Sequence, residues 1–408
     1  MFENRVYRII LREANCPWYR DIEYYCHQSK NLYNYANYIL KQRYSENDFT
    51  LFNFYRLREY IRENQPEPWK NQLTTHVGAE TLRVLVDTWK GYFEAKKRFK
   101  KEPDKFKGPP KPPGYLPKNG TFLITFDTTN FRIAENEITF PKKLNGFTVS
   151  FAGSQNVKQV RIVPHYNHIA VEVVYRKELI KPKQDNEQYL SIDLGVSNFA
   201  AITSNVEGFQ SLVVNGKGLQ AVNQYYNKNL AHYRSIADSL NQGKQTRRIQ
   251  SLIWKRNQRV YDFVHKASRF IADLAEANNV SNVVVGYNAG WKQEINLGSG
   301  NNQKFVSIPY LKFIKKLEYK LKDKGISLTL TNEGYTSKTS FLDNEQPCKQ
   351  NVYKGKRKHR GLFVSESGIK INADVNASYQ ILKKVFPKAY KSKGIMDVSL
   401  HPVVVNVR

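Results

Sequence analysis

Two aspartates at distant positions of this 408-residue chain have the surroundings expected of metal ligands. Asp193 lies within the apolar run 189–194, where a buried charge is costly unless it is paired or bound to a metal. Gly195 allows the chain to turn, and residues 199–202 then have the pattern of a second strand. Asp374 stands just before a segment with helical apolar spacing. Two carboxylates projecting into one cleft could hold Mg²⁺ against a phosphodiester, which predicts a hydrolytic site.

The charge of the chain predicts a polyanionic partner. A formal net charge of +28, from 64 basic and 36 acidic residues, accompanies an aromatic content of 13%, which supports real hydrophobic cores. Nucleic acid is the simplest partner for such a folded, basic chain, although a soluble protein of high pI is the alternative. No long apolar run or N-terminal signal pattern indicates a membrane, and the three scattered cysteines (Cys16, Cys26, Cys348) fit a reducing compartment, so we expect a cytoplasmic protein.

Basic and aromatic residues interleave in several segments, as suits a phosphate backbone with stacked bases. Each segment alone could be an ordinary solvated helix face. The candidate nucleic-acid-binding residues are Arg247, Arg248, Lys255 and Arg256 in a long helical region, and Lys356, Arg357, Lys358 and Arg360 in a loop-rich segment.

The order of elements predicts a multidomain α+β protein. The strand at the N-terminus and the alternating residues of 121–177 predict a β-barrel or a β-sandwich, and the helical pattern of 18–105 is an insertion in it. From residue 189 onward the pattern is α/β: a strand meander, a long basic helical region, a strand at 283–285, a helix at 310–323 and a strand at 327–331. Residues 336–370 are loop-rich, a helix follows Asp374, and a last strand is possible at 403–405.

This order, with one aspartate on the first strand and one before the last helix, resembles an RNase H-like RuvC nuclease domain. The most specific sequence motifs of this resemblance are Tyr335-Thr336-Ser337-Lys338 and Asn372-Ala-Asp374-Val-Asn376-Ala377. More narrowly, the chain resembles the TnpB family of transposon-encoded, RNA-guided DNA endonucleases, relatives of the compact type V CRISPR effectors.

The resemblance implies four parts for the chain. They are a wedge β-barrel (1–17 and 106–185), a helical recognition lobe (18–105), a RuvC nuclease domain (186–335 and 371–408) and a degenerate insert for target nucleic acid (336–370). The implied partners are a guide RNA and double-stranded target DNA with a short flanking motif, bound by a monomer or a dimer. The resemblance also implies a prokaryotic protein that acts at the nucleoid, and no membrane partner is expected.

The chain departs from the usual pattern of the family at two places. A strand that usually ends in a catalytic glutamate reads Val283-Val-Val285-Gly286, and the insert holds only Cys348 where two Cys-x-x-Cys pairs are usual. Cys348 and His359 are too few for a tetrahedral zinc site, so we expect a metal-free insert that packs on aromatics and touches nucleic acid through Lys356 to Arg360.

Glu333 is the candidate that replaces the missing acid. The strand before it should lie beside 283–285, because the intervening helix makes a parallel crossover, and Gly286 would leave room for the incoming side chain. Glu294, several loop residues past the end of the strand at 283–285, is a weaker candidate. Glu333 could also be a solvated acid in a turn before Gly334.

The sequence therefore favours an endonuclease that cleaves target DNA by two-metal phosphodiester hydrolysis. Asp193 would bridge two Mg²⁺ ions, and Glu333 and Asp374 would each complete one site. The alternative is a nuclease-inactive, RNA-guided DNA-binding repressor, because Gly286 replaces the usual glutamate. The Asp-Leu-Gly word after Ile192 also resembles a phosphate loop of actin-like sugar kinases, but no second such loop follows, and the net charge has no use in a small-molecule kinase.

Overall fold

The chain divides into two units, Phe2–Glu178 and Leu179–Arg408. A computed structural model describes residues 2–153, 156–240, 246–288, 303, 306–359, 361–390 and 399–407. Within these residues, no helix has the length and apolar character needed to cross a bilayer.

Three helices pack with the strands in one core of the first unit: α1 (Tyr19–Ser45), α2 (Phe54–Asn64) and α3 (Thr75–Lys101). Each of the last two begins at a polar cap, because the side chain of Asn53 accepts from the backbone of Tyr55 and that of Thr74 accepts from Val77. Trp89 is fully buried in this core, and its indole N–H donates to Asn37 at 3.0 Å.

The strands of the first unit form two sheets. In chain order they are β1 (Phe2–Leu11), β2 (Ile124–Asp127), β3 (Arg132–Ala134), β4 (Glu137–Thr139), β5 (Thr148–Ser150), β6 (Val157–Pro164) and β7 (Ile169–Glu178). One antiparallel sheet has the order β1-β7-β6-β2, and the other has the order β3-β4-β5. No closed barrel is found among the described strands. The strands of the second sheet are three residues each, too short to join the two free edges of the first.

A six-stranded mixed sheet organises the second unit. Its order is β12-β11-β8-β9-β10-β16, in which β11 runs parallel to both β8 and β12, and β9 is antiparallel to its neighbours. A separate three-stranded sheet is formed by β13, β14 and β15. The bounds are β8 (Tyr189–Leu194), β9 (Asn198–Ser204), β10 (Leu212–Asn215), β11 (Asn282–Gly286), β12 (Ser327–Thr331), β13 (Lys356–His359), β14 (Leu362–Val364), β15 (Lys370–Ile371) and β16 (Val403–Val405).

Helices cover both faces of the six-stranded sheet. They are α4 (Lys217–Ser239), α5 (Arg247–Ala277), α6 (Tyr310–Lys322) and α7 (Ala373–Val385). Leu190 and Ile192 of β8 pack in the core that holds α5 and α6, whereas Tyr189 packs with Ile381 of α7. Because side chains alternate between the faces of a strand, Asp193 shares the α7 face with Tyr189.

Three buried hydroxyl groups fix α7 on this face. Ser191 of β8, Thr203 of β9 and Ser378 of α7 are nearly or fully buried. The Ser191 hydroxyl contacts Thr203 Oγ1 at 2.7 Å and donates to the Ser378 carbonyl at 2.8 Å. The Ser378 hydroxyl donates to the Ser191 carbonyl at 3.1 Å. These bonds set the position of α7 relative to β8.

We predict that Thr203→Val destabilises the second unit by about 1–3 kcal/mol, because it removes one buried hydrogen-bond partner each from the Ser191 and Ser378 hydroxyls while conserving shape. Urea denaturation measures the change. Thr329→Val, on the half-exposed edge strand β12, is the matched control and should alter the free energy of unfolding by less than about 0.5 kcal/mol. Equal effects of the two substitutions would contradict the role of the hydroxyl cluster.

Candidate active site

Asp193 lies near the end of β8, just before a tight turn. The Gly195 N–H donates to the Phe199 carbonyl at 3.2 Å, and the Tyr310 hydroxyl donates to the Gly195 carbonyl at 2.8 Å. A Cβ at position 195 would lie 2.4 Å from the Asn198 carbonyl oxygen, so the turn needs glycine. The predicted turn between the first two strands of this unit is confirmed.

Glu333 follows β12 and lies against the end of β11. The predicted pairing of the two strands is confirmed, with Gly286 opposite Thr331 in parallel register. The Glu333 N–H donates to Asn288 Oδ1 at 3.0 Å, and the Thr336 hydroxyl donates to the Glu333 carbonyl at 2.9 Å. Thr336 of the Tyr-Thr-Ser-Lys word thus holds the backbone of the candidate acid.

The side chain of Glu333 occupies the space that any side chain at position 286 would need. A Cβ built on Gly286 would lie 2.7 Å from both Cγ and Oε1 of Glu333, and 2.6 Å from Cδ1 of Ile381. Carbon atoms do not approach this closely without displacement of one of them. The glycine is therefore sterically required for Glu333 to take this position.

Asp374 belongs to the first turn of α7, which Asn372 caps by accepting from the N–H groups of Asp374 and Val375. One carboxylate oxygen of Asp374 accepts from Asn198 Nδ2 at 2.7 Å. The other pairs with Arg357 Nη2 at 3.3 Å. Asp374 is therefore oriented by β9 on one side and by β13 on the other.

The three carboxylates influence one another electrostatically. Burial raises the pKa of Asp193 well above its usual value, and the charges of Glu333 and Asp374 raise it further, whereas Arg357 opposes the shift. Burial raises the pKa of Glu333 to about 7. Oε1 of Glu333 is buried without a hydrogen-bond partner among the described residues. A divalent cation would relieve both the repulsion and this unmet acceptor.

The donor set suits Mg²⁺, although the side chains do not form a closed cage. Within the described residues, no group of three His, Cys, Asp or Glu side chains is placed to hold a metal ion. Mg²⁺ usually keeps several waters and binds proteins through one or two carboxylates, so direct and water-mediated contacts could be divided among Asp193, Glu333 and Asp374.

The candidate nucleic-acid-binding residues differ in their surroundings. Arg247, Arg248 and Lys255 on α5 and Lys356 and Lys358 on β13 are exposed. Arg256 is half-buried, donating to Asn223 Oδ1 at 2.9 Å and to the Ser307 carbonyl at 2.7 Å. Arg357 reaches a catalytic candidate, as described above. Arg360 and the alternative acid Glu294 lie outside the described residues. Nucleic-acid binding by this set remains a prediction.

The insert contains the three-stranded sheet β13-β14-β15, which its loop-rich sequence does not predict. Phe363 of strand β14 packs in one core with Phe341 and with Tyr379 of α7. The buried Asn376 accepts from the Phe341 N–H and donates to the Thr339 carbonyl, both at 2.9 Å. Cys348 is an exposed thiol.

Sequence reasoning missed two contacts of the carboxylates. Asn198 was not proposed as a partner of Asp374, although a polar residue at the start of an apolar strand was a visible signal. Arg357 was predicted only to bind nucleic acid, and no pattern in the sequence signals its ion pair with Asp374.

Two known families match the chain. The OrfB_IS605 family, described as a probable transposase, matches residues 168–292, and the Cas12f1-like TNB domain matches residues 310–381. The first match contains Asp193, and the second contains Glu333 and Asp374. A TnpB-like protein, ORF457 of the Acidianus two-tailed virus, is 25% identical over 396 residues, which cover 87% of this chain and 81% of the viral protein. The predicted resemblance to the TnpB family is confirmed.

Solved structures overlap with the chain only loosely. A Cas12f1–sgRNA–target DNA complex aligns with a TM-score of 0.37 and 16% identity, covering 92% of this chain and 98% of its own. The mini-RNA-guided endonuclease CRISPR-Cas_phi3 aligns with a TM-score of 0.43 and 10% identity, covering 94% and 92%. The assignment of the site rests on the contacts above.

We predict that Gly286→Ala displaces Glu333 and weakens Mg²⁺ binding at least tenfold, because its Cβ would collide with the glutamate side chain. The measurement is the Mg²⁺-dependent rise in melting temperature. Gly218→Ala on α4, where a Cβ would meet nothing within 4 Å, is the control. Unchanged Mg²⁺ stabilisation in Gly286→Ala would contradict the steric argument.

We also predict that metal-free protein loses stability as pH rises. The unfolded chain releases the Glu333 proton near 4.5, while the folded chain keeps it to about 7. In this window the unfolded state binds fewer protons, so stability falls as pH rises. At about pH 8 Glu333→Gln should therefore be more stable than the parent by up to about 3 kcal/mol.

Thermal melts in EDTA across this pH range measure the effect, with the exposed Glu366→Gln as the control. Saturating Mg²⁺ should remove the advantage of Glu333→Gln, because the cation favours the ionised carboxylate. Parallel pH profiles of parent and Glu333→Gln would show that the carboxyl at 333 is not held in a desolvated environment.

Proposed function

We propose that this chain is an RNA-guided DNA endonuclease that cleaves target DNA by phosphodiester hydrolysis in a RuvC-type site. The family resemblance supports an RNA-guided DNA endonuclease in general. The observation that carries the proposal for this member is the position of Glu333, whose desolvated carboxylate fills the space beside Gly286. An inactive descendant would have no use for a costly buried acid at this place.

The order of the sheet supports an RNase H-like core. Counted from β8, the strands lie in the order third, second, first, fourth, fifth, with the second antiparallel to the first. Asp193 lies near the carboxyl end of β8 and Glu333 follows β12, and the carboxyl ends of parallel strands open onto one crevice. Asp374 begins the helix that packs on that face.

The side chains divide the work of this site. Bound Mg²⁺ would activate water and stabilise the leaving oxygen. Asp193, Glu333 and Asp374 would hold the ions through their carboxylates, directly or through water. Asn198 and Arg357 would act as positioning residues, because they hold the two oxygens of Asp374.

The proposed partners are a guide RNA and a double-stranded target with a short flanking motif. The net charge of +28 supports a polyanionic partner, and the exposed Lys356 and Lys358 lie on the same short strand as Arg357. Base pairing would select the target, so that protein contacts to the backbone need not read sequence. A backbone phosphate bound by β13 would lie close to Asp374, because Arg357 of the same strand contacts this carboxylate.

A second candidate function is RNA-guided DNA binding without cleavage. The absence of a three-acid metal cage among the described residues favours it, as does the glycine at 286. In this case Arg357 would neutralise Asp374 permanently, and the protein would act as a repressor. Cleavage and binding assays on the same variants separate the two candidates.

We predict that the protein purified with its own RNA cuts a plasmid target in Mg²⁺ and that Asp193→Asn or Glu333→Gln stops cleavage. Each loss should exceed the 10–100-fold that is typical of a lost outer-shell partner. Target binding in EDTA should remain within about twofold of the parent, because neither carboxylate is needed to bind the backbone. The exposed Glu366→Gln is the control.

The double substitution Gly286→Glu with Glu333→Gly tests relocation of the acid directly. It returns the carboxylate to the strand end that usually carries it, and it removes the colliding side chain. Cleavage should recover above that of Glu333→Gly alone. Cleavage that survives Glu333→Gln would refute this site, and intact binding with no cleavage by the parent would establish the repressor instead.

A further inference from the structure

Helices α4 and α5 enclose a groove of about 580 Å³ with aromatic and basic walls. This volume falls within the range of ligand-sized clefts, roughly 300–1,000 Å³. The residues of the groove that could contact a ligand are Tyr225, Tyr226, Tyr233, Arg248, Lys255 and Arg259.

The groove has almost no acidic complement. Between residues 217 and 261, Asp238 is the only Asp or Glu. Among the described residues, no carboxylate pairs with Arg248, Lys255 or Arg259. A surface that carries unneutralised cations along two adjacent helices attracts an anion of extended shape.

Arginines contact two of the three tyrosine rings of the groove. The guanidinium carbon of Arg248 lies 4.6 Å from the Tyr233 ring centroid, and that of Arg256 lies 5.5 Å from the Tyr226 centroid. Arg256 is itself anchored by Asn223 and the Ser307 carbonyl. Tyr225 is 61% exposed, so its ring is accessible for stacking.

We propose that this groove binds unpaired nucleotides, with bases stacked on Tyr225 and Tyr233 and phosphates held by Arg248, Lys255 and Arg259. Aromatic rings alternating with free cations are suited to single strands, because every unpaired base offers a face for stacking. Paired bases have no free face, so a duplex would use the cations and leave the tyrosines idle. The inference rests on the proposed function only for its class of partner and uses none of the three carboxylates.

The test is fluorescence anisotropy with the full-length chain in EDTA, where no hydrolysis occurs. The probes are oligo-dT and oligo-U of about twelve nucleotides, within the 4–16-nucleotide footprint of such sites, and a DNA duplex of the same length. Tyr225→Ala and Tyr233→Ala should each weaken single-strand binding about tenfold, and Tyr225→Phe should change it by less than about twofold, because phenylalanine still stacks.

Leu240→Ala, an exposed apolar residue that follows α4 and lies outside the groove, is the matched control and should have no effect. Tyrosine-dependent binding of oligo-dT alone identifies single-stranded DNA as the occupant, and that of oligo-U alone identifies RNA; binding of both supports a site for either. Equal affinity for the duplex, with no loss in Tyr225→Ala and Tyr233→Ala, overturns the proposal and leaves a surface for duplex backbones or an acidic protein.

Photocrosslinking provides a readout that does not depend on the folding of a variant. Oligonucleotides carrying 5-iodouracil should form adducts with Tyr225 or Tyr233 of the parent chain, located by mass spectrometry. Adducts only on tyrosines outside the groove would contradict the assignment. Because these assays exclude Mg²⁺, a failure of DNA cleavage would leave their outcome unaffected, and a failure of stacking would leave the cleavage site intact.

Discussion

The collision between a side chain at position 286 and the side chain of Glu333 is the constraint on which the candidate site depends. Only glycine at the end of β11 leaves the volume that Glu333 occupies. The carboxylate is thereby withdrawn from solvent, which raises its pKa and leaves one oxygen without a partner. Gly286 and Glu333 therefore depend on each other, since either one alone would weaken the fold without forming a site.

The scaffold around this pair explains how distant residues converge. Alternation along β8 directs Asp193 to the face covered by α7, and the hydroxyls of Ser191, Thr203 and Ser378 fix that helix. Asn376 then joins α7 to the start of the insert. Arg357 of the insert forms an ion pair with Asp374. Each of these links is a direct polar contact, so a shift of α7 would change the position of Asp374 relative to Asp193.

The sequence was sufficient for the elements of the second unit and insufficient for their finest contacts. Strands 189–194, 327–331 and 403–405 have the predicted bounds, because apolar runs between polar turns signal strands strongly. The prediction of a closed barrel was wrong, because alternation identifies strands but does not show which strand edges pair. The sheet of the insert was missed because Lys356–His359 carries no apolar alternation. The packing of Phe363, on the neighbouring strand, against the more distant Phe341 and Tyr379 has no signal in the sequence.

The most direct test of the central claim is the location of a bound divalent ion. Crystals of the full chain soaked in Mn²⁺ as a substitute for Mg²⁺ should give anomalous density in the crevice, with Glu333 contacting the ion directly or through one water, together with Asp193 and Asp374. Density held by the two aspartates alone, with Glu333 still packed against Gly286, would contradict the replacement of the missing acid by residue 333.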